Sequence, residues 1–167
     1  MNVDNVIQIV TFVLGLIGSA GTFWNYFQNR KCYDIKIESS TLEPSETGYV
    51  LVLELQFLNC SRLPLAITDV ELKLSEKGEY LPCLRQHSKQ FSTARKTSSC
   101  LSGLNSAQIV SFPLPLLDLG CASAYLPFVI DGDTPLHFSR PVTLRVHTNR
   151  GGADEKQLPL PLSPHRL

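Results

Sequence analysis

The stretch VIQIVTFVLGLIGSAGTFW, residues 6–24, decides how the rest of the chain is organised. No charged residue lies between Asp4 and Arg30. As an α-helix rising about 1.5 Å per residue, the stretch would be about 28 Å long, close to the roughly 30 Å hydrocarbon core of a bilayer. Apolar residues occur all round this helix rather than along one stripe, as expected of a segment surrounded by lipid. The sequence therefore predicts one transmembrane helix within a first unit, residues 1–31.

The flanks of this stretch predict its orientation. Aromatic residues, which favour the headgroup region, stand at its distal end: Trp24, Tyr26 and Phe27. Basic residues are retained in the cytoplasm, and three of them follow the aromatic residues: Arg30, Lys31 and Lys36. The pattern predicts a single-pass protein of the cell membrane with its N-terminus outside and the remainder in the cytoplasm.

Two other interpretations of the stretch remain open. Gly18-Ser19-Ala20 places small residues where a signal peptidase would cut, although the basic segment that normally opens a signal peptide is missing. The stretch would also suit a soluble hydrophobic helix used in oligomerisation. Within a span, small residues four apart would let two helices approach closely and suggest self-association; the face that they form comprises Gly15, Gly18, Ser19 and Thr22.

The second unit, residues 32–167, is long enough for one domain with its own core. The net charge of the whole chain is zero, which gives no general attraction to nucleic acid, and none is expected as a partner. The five cysteines are scattered without zinc spacing, as suits a reducing cytosol. In an exported protein, Cys83 and Cys100 would be the obvious disulfide pair, and Asn59 would head a glycosylation sequon.

Alternating apolar residues predict strands through most of this domain. The first runs from Tyr33 with apolar residues on one face, the most apolar spans 49–58, and a further clear strand spans 122–130. In the strand over 65–74 the apolar phase changes at Thr68-Asp69, which predicts a β-bulge because one extra residue moves the following side chains to the opposite face.

Residues 85–103 break the alternation and are rich in Ser, Thr, Lys, Arg and Gln, which predicts a long basic loop. No convincing helix is expected after residue 31. Seven or eight short strands in this length indicate a mainly β fold, an antiparallel immunoglobulin-like β-sandwich. The Cys-Trp-Cys pattern of antibody domains is absent.

The segment ending WNYFQNR at Arg30, the strand that follows at once, and LQFLNCSRLPLAI over 55–67 resemble uncharacterised bacterial single-span membrane proteins that carry a β-sandwich. The resemblance covers about the first half of the chain. It implies this topology and a bacterial source, and it carries over no active-site residue.

The predicted basic loop is the candidate contact with an anionic surface. Its basic residues would each contribute about 1 kcal/mol near anionic lipid; they are Arg85, Lys89, Arg95 and Lys96. An acidic partner surface, RNA, or a plain solvated loop would suit the same residues. Without interleaved aromatic residues they are a poor nucleic-acid signal.

No pattern in the sequence predicts catalysis. The histidines, His87, His137, His147 and His165, stand outside any G-x-S-x-G or H-E-x-x-H motif. Asp131-Gly132-Asp133 is read as a turn rather than a cation site. No cofactor or metal is therefore expected.

The sequence favours a membrane-anchored, non-enzymatic interaction or accessory module that presents a β-sandwich near the membrane surface. Its partners would be membrane lipid, another protein, and a second copy of this chain that associates through the transmembrane helix. An exported sandwich that binds a ligand or a cell-surface partner, and a membrane-associated enzyme of unrecognised type, are the alternatives.

Overall fold

The computed structural model describes residues 3–45, 48–73, 79–132 and 141–160. It begins with one long helix, α1, Val3–Asn29. Within α1, the 21 residues Ile7–Phe27 have a mean hydropathy of 1.6, and none of that segment is buried by the rest of the chain. By length and composition α1 is able to cross a membrane, which confirms the predicted N-terminal apolar helix.

Within the described ranges eight antiparallel strands follow in two sheets, which confirms the mainly β prediction. The three-stranded sheet has the order β1-β2-β6, and the second sheet has the order β4-β3-β7-β8 with β5 also pairing β3. The strands are β1 Tyr33–Ser45, β2 Gly48–Asn59, β3 Leu65–Lys73, β4 Tyr80–Pro82, β5 Leu114–Leu116, β6 Cys121–Asp131, β7 Val142–Thr148 and β8 Ala153–Leu158.

The core between the sheets follows from the alternation within the strands. Side chains of one phase of β2 are almost completely buried, and those of β3, β6 and β7 pack against them. Large buried members of this core include Leu53, Leu55, Phe57, Ile67, Phe128 and Leu144. The pairing of β3 with β7 shifts register between Ile67 and Asp69, so the predicted bulge is confirmed. A second shift, between Ile37 and Ser39 of β1, had no counterpart in the sequence pattern.

The prediction of a long loop over 85–103, with no helix after α1, is wrong. Two helices lie there, α2 Lys89–Thr97 and α3 Ser99–Gly103. Their few apolar side chains cover the outer face of the three-stranded sheet and form a second hydrophobic cluster, which includes Val50, Val52, Phe91, Ala94 and Leu101. Most residues of α2 and α3 are polar, so the helices owe their stability to this sheet rather than to a strong apolar stripe of their own.

Serine side chains mark the ends of these helices. The Ser88 hydroxyl accepts a hydrogen bond from the Phe91 N–H (3.1 Å), and the Ser98 hydroxyl accepts one from the Leu101 N–H (3.1 Å). Ser98 ends α2 and caps α3, and its side chain is buried. Ser88 and Ser98 therefore satisfy backbone N–H groups that a helix start leaves unpaired.

Candidate membrane-anchoring site

The chain passes from α1 into the sandwich through only three residues, Arg30, Lys31 and Cys32. Tyr33 at the start of β1 pairs with Asn59 at the end of β2. We call this part of the sandwich the α1 end; it comprises residues 30–33, 58–64, 117–121 and 149–152.

Backbone and side-chain hydrogen bonds tie α1 to this end. The Arg150 guanidinium donates to the Ser61 hydroxyl (2.8 Å) and to the carbonyl of Asn29, the last residue of α1. The Cys60 N–H donates to the Cys32 carbonyl (2.9 Å). The exit of α1 is therefore held by contacts to two separate loops.

A charged cluster closes the neighbouring side of the junction. The Lys31 ammonium lies 2.7 Å from the Asp154 carboxylate and donates to the Gly151 carbonyl (2.9 Å), while the Tyr33 hydroxyl donates to Asp154 (2.8 Å). The hydrogen bond from Lys31 lowers the pKa of Asp154 against a smaller opposing effect of burial, and Tyr33 adds to the lowering. Burial and the Asp154 carboxylate together raise the pKa of Tyr33, so its phenol keeps the proton it donates.

The predicted helix-association residues do lie together on α1. They line one shallow groove: Gly15, Gly18, Ser19 and Thr22, with Phe23 and Tyr26 beside them. The hydroxyls of Ser19 and Thr22 donate within the helix to the carbonyls four residues earlier (2.8 and 2.9 Å). A Cβ added at either glycine would meet nothing within 4 Å, so the groove is unfilled by this chain.

The four predicted anionic-surface residues lie on α2 or just before it, and their surroundings differ. The Arg85 guanidinium lies 3.5 Å from Asp69, and the Arg95 guanidinium donates to the Leu104 carbonyl (3.1 Å), which ties α2 to the segment after α3. Lys89 and Lys96 are exposed on α2. The C-terminal end of α2 contacts Glu43 and Ser45 of β1. α2, with Lys89 and Lys96, therefore lies about 30 Å of strand away from Tyr33, whereas Arg85 lies beside β3.

The groups weighed for catalysis and metal binding are also dispersed. His147 Nε2 lies 3.5 Å from Glu71 on the outer face of the five-stranded sheet, and His87 is exposed. Within the described ranges no group of three or more His, Cys, Asp or Glu residues is placed to hold a metal ion. Gly132 forms the turn after β6; Asp133, His137 and His165 lie outside the described residues.

The five cysteines are free. Cys83 is buried in the core between the sheets, whereas Cys100 packs beside the α2–α3 cluster, so the pair named for an exported protein is divided between two clusters. Burial raises the pKa of Cys83 well above its ordinary value. Cys32, Cys60 and Cys121 are exposed at the α1 end.

Comparisons with known proteins assign no family to this chain. No protein-family model matches it, and no curated protein matches it. Its function is therefore inferred from its own residues and contacts.

Sequence reasoning missed three residues that build the junction: Asn59, Arg150 and Asp154. Asn59 stands at a strand end followed by a serine two residues later, which is a signal for an Asx turn. The partners of Arg150 and Asp154 lie between 89 residues (Ser61) and more than a hundred residues (Asn29, Lys31) earlier in the chain, and no local pattern points to such contacts.

Proposed function

We propose that this protein is a single-pass membrane protein that holds a non-enzymatic β-sandwich close to the lipid surface as an interaction or accessory module. One observation carries the proposal: the 21-residue, mainly apolar segment Ile7–Phe27 of α1 is left entirely uncovered by the chain. Exposing that much apolar surface to water is unfavourable, whereas a bilayer would bury it.

The junction supports a role for the anchor beyond retention. Three residues separate α1 from β1, and Lys31 and Arg150 tie the helix exit to the 149–152 loop. The sandwich is thereby confined near the membrane, where restriction to two dimensions strengthens otherwise weak contacts with a membrane partner. The basic residues that follow α1 favour the cytoplasmic side for the sandwich.

We further propose that the sandwich is immunoglobulin-like and bacterial, as the resemblance of residues 24–30 and 55–67 implies. The strand orders support the first part, because the first, second and sixth strands share one sheet while the third, fourth, fifth, seventh and eighth share the other. That division resembles an immunoglobulin-like sandwich in which two short further strands, β4 and β5, pair with the third.

The non-enzymatic part of the proposal is supported by where the histidine and carboxylate groups lie. His147 and Glu71 are adjacent on an open sheet face that also carries Arg145, 3.6 Å from Glu71. A catalytic pair requires a concave site that orients a substrate and excludes water. This arrangement is better explained as a surface ion-pair network.

The deciding experiment combines membrane extraction with thiol accessibility in intact cells. The exposed thiols of Cys32, Cys60 and Cys121 report on the side of the membrane, and buried Cys83 serves as an internal control that reacts only after unfolding. We expect the protein to stay in the pellet after alkaline extraction and its exposed thiols to resist an impermeant reagent until lysis. Release from the pellet would overturn the anchor, and labelling of intact cells would favour the exported alternative.

A charge in α1 provides the matched test of the span. Leu14→Arg places a charge near the middle of the segment, at an insertion cost of about 2.5–3.5 kcal/mol, and should shift protein into the soluble fraction. Tyr49→Arg introduces the same charge at an exposed position of β2 and should leave fractionation unchanged. Equal behaviour of the two variants would contradict the span.

We also propose that a second copy of α1 occupies the groove on the helix. Gly15→Ile and Gly18→Ile are accommodated in the single chain, because nothing lies within 4 Å of the added Cβ, so a loss of cross-linked dimer in membranes would report on the partner helix. Ala20→Ile is the control, because Ala20 is also exposed but lies on the opposite side of the helix from Gly15 and Gly18. If Gly15→Ile and Gly18→Ile left the cross-linking unchanged, the proposal that a second copy of α1 occupies the groove would be wrong.

A further inference from the structure

Two loops at the α1 end lie side by side and are joined through one buried side chain. The Asn59 amide donates to the Leu63 carbonyl (2.9 Å) and to the Leu117 carbonyl (2.8 Å), and its oxygen accepts from the Ser61 N–H (3.0 Å). The Leu119 N–H donates to the Ser61 carbonyl (3.1 Å). Asn59 is only 3% exposed, so the two loops form one fixed surface.

This surface carries exposed leucines. Among the described residues outside α1, five large hydrophobic side chains are exposed, and four of them lie at the α1 end: Leu58, Leu63, Leu117 and Leu119. Leu117 is 73% exposed and Leu119 is 66% exposed. Single exposed leucines need no explanation, but four gathered at one end mark an interaction surface.

The backbone at Leu119 adds an independent observation. Its φ is +49°, the left-handed region that L-residues with bulky side chains rarely adopt, and Gly120 follows directly. A glycine or asparagine would adopt this backbone conformation more easily. The turn instead carries leucine, and its large apolar side chain is exposed. Strain retained at such a position is typical of a functional surface.

The position and charge of this surface indicate what covers it. The backbone N–H of Cys60, in one of the leucine loops, donates a hydrogen bond to the carbonyl of Cys32, three residues after the end of α1. Exposed Arg62 directly precedes Leu63, and exposed Arg30 belongs to the link between α1 and β1; Asp118 is the acid between Leu117 and Leu119. Apolar side chains with basic groups on the same end of a domain are what an interfacial lipid-binding surface presents to acyl chains and phosphates.

We propose that Leu63, Leu117 and Leu119 insert into the membrane interface beside α1, with Arg30 and Arg62 at the lipid phosphates, so that the sandwich docks on the bilayer in one orientation. This inference rests on the proposed span, since α1 brings the α1 end to the lipid. Docking at two points, the span and the leucine loops, would fix which face of the sandwich a partner meets.

Tryptophan quenching by lipids with brominated acyl chains tests this in the full-length protein, reconstituted in phosphatidylcholine–phosphatidylglycerol vesicles. Trp24 is the only tryptophan of the chain, so in the parent protein its quenching reports on the span itself. In a Trp24→Phe background, Leu117→Trp and Leu119→Trp are two separate reporters of the loops. Tyr49→Trp, at the exposed site remote from α1, is the matched control.

We expect Trp24 and both loop reporters to be quenched, the latter roughly twofold for rings within about 10 Å of the acyl chains, and the Tyr49→Trp reporter to be unaffected. Quenching of Trp24 without quenching at positions 117 and 119 would overturn docking while leaving the span intact. An unquenched Trp24 would overturn the span. A loop reporter that is blue-shifted but unquenched would show that protein, such as a second copy, covers the leucines, and would also overturn the proposal.

A second substitution separates insertion from simple proximity. Leu63→Ser in the Leu117→Trp protein removes one neighbouring apolar side chain and should reduce the quenching. Leu104→Ser, near α3, is the control and should leave it unchanged. Equal quenching in both would mean that the leucines do not hold the surface in lipid, and the proposal would fail.

Discussion

The two ends of the sandwich treat apolar side chains in opposite ways. We call the opposite part of the sandwich, where Glu43 and Ser45 of β1 contact α2 and α3, the far end. There the valines on the outer face of β2 are covered by α2 and α3 from the same chain. At the α1 end, the leucines of two loops are left uncovered although their backbone is firmly bonded. The chain therefore covers the apolar face at the far end with its own helices and leaves the leucines of the α1 end exposed. This difference indicates that a partner or a lipid surface, rather than the chain itself, covers the leucines.

The charged side chains at the two ends of the sandwich also have different roles. At the far end the Glu43 carboxylate accepts hydrogen bonds from the hydroxyls of Ser98 (2.6 Å) and Ser99 (2.5 Å) and from the Cys100 N–H (3.2 Å), which fastens α3 to β1. At the α1 end the charged groups tie the sandwich to the helix exit, through Lys31 and Arg150. One set of contacts holds an internal layer, and the other holds the anchor.

The sharpest test of this comparison replaces the same residue type at both ends. Leu101→Ala removes a fully buried side chain of α3 and should lower the free energy of unfolding by about 2–4 kcal/mol through lost burial and a cavity. Leu117→Ala should change it by less than about 0.5 kcal/mol. Urea titration of the full-length protein in detergent, followed by the reactivity of the buried Cys83 thiol, measures both; equal losses would mean that Leu117 is structural.

The second test concerns the bonds that hold the leucine loops. Asn59→Ala takes away the donor that Asn59 supplies to the Leu117 carbonyl and the acceptor that it supplies to the Ser61 N–H. It should cost about 2–3 kcal/mol, because unpaired buried polar groups are unfavourable. Asn149→Ala is the control: its exposed side chain accepts one hydrogen bond, from the Ala66 N–H (2.9 Å), and should cost about 1 kcal/mol or less. If the same titration gave the reverse order, the loops would not depend on Asn59.

The third test uses pH at the far end. Burial acts to raise the pKa of Glu43, but the hydrogen bonds from Ser98, Ser99 and Cys100 outweigh it, and the pKa lies below the ordinary value of 4.5. The stabilisation is therefore complete above about pH 4.5 and is lost as the pH falls through the folded-state pKa.

Glu43→Gln should accordingly cost about 1–2 kcal/mol at neutral pH and progressively less below pH 4.5. Glu38→Gln is the control. Among the described contacts, the Glu38 carboxylate pairs only with the exposed Lys36, at 2.8 Å. Its replacement should therefore lower the free energy of unfolding by less than about 0.5 kcal/mol at any pH. Stability curves from pH 3 to pH 7 decide this; a Glu43→Gln loss that persisted at low pH would contradict it.

The smallest effect is expected where the sequence favoured an anionic contact. Lys89→Ser with Lys96→Ser should change stability by less than about 0.5 kcal/mol, since both side chains are exposed on α2. It should also leave quenching of the Leu117→Trp reporter unchanged, because these lysines lie far from the α1 end. Reduced quenching would contradict this expectation. It would support a contact of the predicted basic residues with anionic lipid: Arg85, Lys89, Arg95 and Lys96.

The sequence by itself determined α1, the β-rich class and the bulge at Thr68, because apolar runs, alternation and changes of phase are local properties that a span or a half-buried strand requires. It also placed Gly15, Gly18, Ser19 and Thr22 on one helix face. Only the tertiary structure decided that two helices form within 85–103, because α2 and α3 depend on the face formed by Val50 and Val52.

The tertiary structure alone likewise brought together the junction and the leucine surface. Asn29 meets Arg150, and Asn59 meets Leu117, across 121 and 58 residues of chain. Such contacts arise from strand pairing and loop closure rather than from any local pattern, so reading the chain in order leaves them hidden.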